Sequence, residues 1–270
     1  MLLRELLASE FALPSIPRIV ALLLSELERE QPDLKKISQL ISTDPALTIR
    51  LLQVSNSGYF KLSGQMRSVP ESLAIVGLNH VRAMAQAAAA NASLKAVPGI
   101  RLQQCWDYCL DVAKVSRSLA GVVRQNQQAA FTAGLIHFAG ELAMRIAMPE
   151  PMAALDVLVP AMDPRRARAE RRQFDFDYPQ VGAGYARAWS FPETIVDAIE
   201  HQDAPFLNDA YEPLAGVIHL ATWRARAKMA GLNQREMAVS FPGPVGEVLS
   251  LDIDMVLQQD PIDWNSQHVA

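Results

Sequence analysis

Apolar residues recur along this chain at three- and four-residue intervals, and strict apolar/polar alternation is rare. That period marks helices with one buried face, whereas a period of two would mark strands. Runs of β-branched residues are short and alanine is abundant. The punctuation is helical as well. Asp44-Pro45 places a capping carboxylate before a proline suited to the first helical position. Ser68 and Glu71 have the spacing of a capping box around Pro70. Asp33 stands ready to cap "LKKISQLIS", and Pro192-Glu193 opens "ETIVDAIEH". The pattern predicts an all-α protein of about a dozen helices joined by short loops.

The clearest internal boundary is "KAVPGI", residues 95 to 100, where Pro98-Gly99 removes a donor and frees the backbone. Short helices precede it, and the long "RLQQCWDYCLDVAKVSRSLAGVVRQ" follows. A second loop, "SFPGPVG", lies near residues 240 to 246. The expected organisation is two packed lobes, residues 1–98 and 99–240, with a helical tail at 241–270. No tandem repeat or low-complexity run interrupts it.

Composition narrows the class. A chain of 270 residues, 50% of them hydrophobic, can bury roughly three quarters of its unfolded surface. The net charge of -4 gives no long-range attraction for nucleic acid or anionic membrane. Cys105 and Cys109 lie one helical turn apart. They are too few for a disulfide framework or a zinc site and are expected as buried thiols in a reducing compartment. "MLLRELLASEFALPSIP" carries Glu5 and Glu10 and has no signal-peptide core. "IVALLLSEL" is too short to span a bilayer. The expectation is a soluble cytoplasmic protein.

Chemistry concentrates in "FTAGLIHFAGELAMRIA", residues 131 to 147, which reads as a nearly unbroken apolar helix around His137. His137, Glu141 and Arg145 are four apart and form one polar stripe. His137 is expected partly buried, bonded within that stripe or to Tyr108 or Tyr178. The competing expectation places it in a ligand or anion pocket. Gly134 and Gly140 point to close helix approach. "DPRRARAERRQ" holds Arg165, Arg166, Arg168, Arg171 and Arg172, which read either as contacts for a nucleotide, a nucleic acid or an acidic partner, with Arg165, Arg168 and Arg172 foremost, or as a solvated amphipathic face. It lacks the interleaved aromatics of a base-stacking surface. His80 is expected at the surface or as a cap, and His219 at a core boundary; His268, in the tail, is given no role. The small residues of "HVRAMAQAAAANASL" suit tight packing or a contact surface, and Asn56-Ser57 suits a helix end. Trp106, Trp189 and Phe191 are expected as core anchors. No phosphate loop, nucleophile elbow or catalytic Cys-His spacing is present.

The order "LPSIP" (13–17), "ISTDPALTIRLLQVSNS" (41–57) and "SVPESLAIVGLNHVR" (68–82) resembles the HDOD family, the HD-related output domains of bacteria. The resemblance continues through "CWDYCLDVA", "FTAGLIHFAGELAM", the stretch 170–202 and "VIHLATWRA", covering roughly residues 13 to 225. It implies a helical bundle whose second half is similar to HD-superfamily metal phosphohydrolases. Such hydrolases need imidazoles and carboxylates converging on a metal. At the positions the resemblance marks, this chain has Tyr108, His137-Phe138, Tyr178, His201-Gln202 and Thr222. Only His137 and His201 keep competent side chains. Tyrosine, with a pKa near 10, is a poor ligand at neutral pH. Asp175 and Asp177 are the nearest acids that would have to substitute.

The resemblance therefore implies a pseudoenzyme with no catalytic residue, metal or cofactor. Family members act in bacterial signal transduction beside receiver or cyclic-dinucleotide domains. None is read in this sequence, so a protein partner in trans is expected, with a small ligand in the degenerate pocket as a further option. A divergent metal-dependent phosphohydrolase using His137 and His201 is the alternative. A nucleic-acid-associated regulator using the arginine cluster is a third.

Overall fold

The computed structural model describes residues 1–9, 12–60, 64–91, 97–206 and 212–258. Every regular element among them is helical. The first six helices are α1 (Leu3–Leu7), α2 (Pro17–Leu27), α3 (Leu34–Ile41), α4 (Pro45–Ser55), α5 (Val69–Val76) and α6 (Leu78–Asn91). Then follow α7 (Leu102–Val122), α8 (Gln127–Ile136), α9 (Ala139–Ala147), α10 (Pro149–Asp156), α11 (Arg166–Phe174) and α12 (Tyr178–Ala188). The remaining helices are α13 (Glu193–Glu200), α14 (Pro213–Met229), α15 (Gln234–Ser240), α16 (Gly243–Val248) and α17 (Ile253–Leu257). None of the described helices is long and apolar enough to cross a membrane. The end of the alanine-rich stretch at 92–96, and the tail beyond Gln258 with His268, lie outside the described residues.

The predicted caps form. Asp33 accepts from the Lys35 and Lys36 amides. Asp44, fully buried, accepts from Leu47 N at 3.0 Å and also from Ile16 N at 2.7 Å, tying the entry of α2 to that of α4. Ser68 caps α5, but Glu71 reaches back to Arg67 N, one residue before the cap. Asn56 clamps Met66 through both its amide oxygen (2.7 Å) and its amide nitrogen (3.1 Å), so its task is a bridge across ten residues and not a local turn.

Packing follows the buried faces. α2 lies on α3 and α6, and α4 lies on α5 and α6. α7 is flanked by α8 and α14, while α12 packs on α9 and α13. α1 lies against α12, where Tyr185 Oη donates to the Leu6 carbonyl at 2.8 Å. Buried residues from α1 to α17 join one hydrophobic cluster, which includes Trp106 and Phe191. Trp189 is half-buried at its edge, stacked on Tyr185. Cys105 and Cys109 are buried free thiols, as predicted.

Residues 131 to 147 are not one helix. The chain breaks at His137-Phe138, between α8 and α9. Two glycine contacts explain why. A Cβ at Gly134 would lie 2.9 Å from Ala113 Cα of α7, and one at Gly140 would lie 2.6 Å from Gly182 N of α12. Each helix is seated on a different neighbour, and the two seats do not share one axis. The polar stripe splits accordingly. Glu141 and Arg145 pair at 2.8 Å, but His137 does not join them.

Candidate functional site

The break creates the site. A kink in an apolar helix strands backbone carbonyls that must be paired if buried. The Gly134 carbonyl is met at 2.7 Å by Nδ1 of His137. A carbonyl only accepts, so Nδ1 carries the hydrogen and Nε2 keeps a lone pair. The His137 carbonyl accepts from Gln202 Nε2 at 3.0 Å, and the same amide group reaches the Ile199 carbonyl at 2.9 Å. His137 is wholly buried, not partly as expected. Burial, more than its neighbours, drives its pKa down to about 3, so the imidazole is neutral. Its Nε2 has no hydrogen-bond partner in the protein.

Aromatic rings fill the surrounding space. Tyr108 from α7 meets His137 at 5.3 Å and Phe138 at 5.9 Å between ring centroids. Phe138 in turn meets Tyr178, the first residue of α12, at 5.4 Å. These edge-to-face contacts are the arrangement that aromatic quadrupoles favour. Burial pushes the Tyr108 phenol up to about 12, and raises that of Tyr178 well above its ordinary value. Both therefore stay protonated near neutrality. Thr222 is buried and turns its hydroxyl to the His219 carbonyl of its own helix.

His201 ends α13, with Nδ1 3.1 Å from the Asp197 carbonyl. It lies close enough to Asp197 and Glu212 to bear on their carboxyl groups. Asp177, fully buried, caps α12 and pairs with Arg171, while Asp175 is exposed in a left-handed turn after α11. Among the described residues no group of three or more His, Cys, Asp or Glu side chains is placed to hold a metal ion. An amide, a hydroxyl, two protonated phenols and a phenyl ring do not suit the divalent metal that HD hydrolases employ.

Two functional residues escape the sequence reading. Arg226 of α14 lies one turn beyond Thr222. It is close enough to bear on the charge of Tyr108, Tyr178, His137 and Asp203. Its Nε is buried and makes no hydrogen bond, and no aligned bond links it to the Tyr108 hydroxyl, which is also unpartnered. Asp203, half-buried after α13, is pushed up by burial. His219, largely buried and lowered by that burial, has Nδ1 2.8 Å from the Gln202 carbonyl. Arg226, Asp203, His219 and Thr222 line a cavity of about 930 Å³, with Trp223 and Met162 on its walls and Arg165 and Arg168 also among its lining residues.

The arginine run is not one solvated face. Arg166 is fully buried and pairs with Glu141 (3.0 Å), Asp156 (2.9 Å) and Glu170 (2.8 Å). Arg145 pairs with Glu141 and Asp156 and donates to the Pro98 carbonyl. Three carboxylates thus meet two guanidiniums in the interior, and burial followed by the adjoining Glu141 pushes Glu170 up. Arg165, Arg168 and Arg172 are exposed, Arg165 clipped to Asp163 at 2.8 Å. His80 is exposed near the start of α6, beside the rings of Tyr59 and Phe60.

The HDOD domain family model matches residues 13–205. The response regulator MmoQ of Methylococcus capsulatus shares the fold with a TM-score of 0.72 at 24% identity, over 92% of this chain and 97% of that one. A proposed phosphohydrolase of Shewanella amazonensis aligns with a TM-score of 0.55 at 24% identity, over 95% and 91%. A protein of Treponema pallidum without assigned function is 27% identical over 218 residues, which is 78% of this chain and 42% of that one. The chain thus spans well under half the length of that curated relative.

Proposed function

The chain belongs to the HDOD family, and from that premise we propose that it is a non-catalytic signal-transduction module acting through a protein partner. The observation that carries this reading is Phe138. It stands where the resemblance calls for the metal-binding aspartate, and it is fully buried against Tyr108 and Tyr178. Opening that space for an ion would mean moving three packed rings. His137 keeps a free Nε2, but among the described residues no group of three or more His, Cys, Asp or Glu side chains is placed to join it around an ion. The exposed Arg165, Arg168 and Arg172, and the solvent side of α6 with Ala83, Ala87 and Ala90, are the surfaces offered for docking.

The test is direct. Protein purified without chelator is assayed for metal and for turnover of bis(p-nitrophenyl) phosphate with added Mn²⁺, Zn²⁺ or Mg²⁺. The expected result is metal far below one equivalent and no hydrolysis above buffer. Stoichiometric transition metal with turnover overturns the reading.

A further inference from the structure

The cavity beside the plugged cage has a chemical signature of its own. Three guanidiniums line it, Arg165, Arg168 and Arg226, against a single carboxylate, Asp203. Arg165 is partly answered by Asp163, outside the lining. Arg226 is the group of interest. Around it lie the Tyr108 and Tyr178 phenols and the neutral His137, with Asp203 the lining carboxylate in electrostatic reach, and its buried Nε makes no hydrogen bond. A buried donor left unbonded is costly, and the lining's guanidiniums outnumber its one carboxylate, so an anion from outside is a natural complement. The rest of the wall is apolar or aromatic: Met162, Trp223, Ala227, Met229 and Leu232. The Trp223 indole is fixed by a bond from Nε1 to Ser240 Oγ at 3.2 Å and by edge contact with Phe241. The volume of about 930 Å³ falls within the range of small-molecule sites.

We propose that this cavity binds a small organic anion with an apolar or aromatic body, its charge held by Arg226 with Arg165 and Arg168, and its body laid against Trp223. The proposal goes beyond the functional reading above, which assigns this cavity no occupant. A metal ion is the wrong occupant, because the lining repels a cation. A neutral lipid leaves the positive excess of the lining unanswered.

The test uses two probes of nearly the same shape on the full chain: 8-anilinonaphthalene-1-sulfonate, an aromatic anion, and N-phenyl-1-naphthylamine, its uncharged relative. The sulfonate is expected to saturate at one equivalent and to bind about tenfold or more tighter than the neutral amine, the ratio a single charge-assisted contact supplies. Arg226→Gln is expected to erase that ratio while leaving the amine's binding in place. Arg168→Ala, at an exposed position, lowers sulfonate affinity about two- to fivefold and flattens its salt dependence. It keeps the test open if Arg226→Gln does not fold. Quenching of tryptophan emission by the sulfonate is expected to be reduced in Trp223→Phe. Equal affinity for the two probes, binding unchanged in both arginine variants, or non-saturating binding overturns the proposal. Those outcomes leave the metal and turnover assays untouched. Conversely, a metal-loaded, active protein that still prefers the sulfonate rejects the non-catalytic reading and keeps the anion site.

Discussion

Gln202 and His137, sixty-five residues apart, are joined by a side-chain amide that donates to a backbone carbonyl at 3.0 Å. Both occupy positions where the resemblance to HD hydrolases expects metal-binding chemistry. Here they serve the kink between α8 and α9: one imidazole and one amide pair the carbonyls that the break leaves behind.

Phe138→Asp is expected to destabilise the fold by at least about 3–5 kcal/mol, because it removes a buried ring and buries an unpaired carboxylate. Added Mn²⁺ or Zn²⁺ is expected not to restore the loss, since among the described residues no group of three or more His, Cys, Asp or Glu side chains stands ready to hold an ion. Chemical denaturation with and without metal measures both. A metal-dependent rise in the denaturation midpoint of the variant would show a cage that can be refilled.

The two halves of the arginine run are expected to separate sharply. Arg166→Met leaves Glu141 and Glu170 partly uncompensated in the interior and is expected to cost about 3–5 kcal/mol. Arg172→Ala, at an exposed position, is expected to fall within about 0.5 kcal/mol of wild type. Equal effects in urea unfolding would contradict the buried network.

Gly140→Ala drives a methyl group into the α12 backbone at Gly182 N and is expected to cost about 1–3 kcal/mol through forced separation of α9 and α12. Gly64→Ala meets nothing within 4 Å; where its backbone suits alanine, it is expected to stabilise slightly, by about 0.4–1 kcal/mol. Melting temperatures of the pair decide whether contact, and not glycine as such, matters at 140.

His137 gives acid sensitivity. Its folded pKa, about 3, lies below the ordinary 6.5. Between those values the unfolded chain binds a proton that the folded chain refuses, so stability falls with pH through that window, by up to about 1.4 kcal/mol per pH unit. Asp44, raised to about 6 by burial, opposes this, since its folded form takes a proton first as pH drops. That term is common to wild type and His137→Asn and cancels in their difference. Wild type is therefore expected to lose stability relative to the variant from about pH 6.5 downward. Parallel curves down to about pH 4 would refute it.

Much of this was legible in residue order. Capping carboxylates at Asp33 and Asp44 announce helix starts because their geometry is local. The departures at the positions marked by the resemblance are visible because a phenyl ring cannot coordinate an ion and a phenol is a poor ligand near neutral pH. What escaped depends on tertiary approach. Nothing in "GLIHFAGEL" breaks a helix, and the interruption comes from where Gly134 and Gly140 are seated. Arg166 looks like its exposed neighbours in sequence. Its burial is set by Glu141, twenty-five positions earlier, and by Asp156. Arg226 was invisible beside Thr222, since its partners arrive from α7 and α12.

Arg226 also changes what the environment can control. A divalent ion comes and goes with supply, chelators and competing proteins. A guanidinium arrives with translation and stays charged at any physiological pH. The positive group beside Tyr108 and Tyr178 is thus indifferent to metal starvation or excess, and a cell can withdraw it only by withdrawing the polypeptide itself.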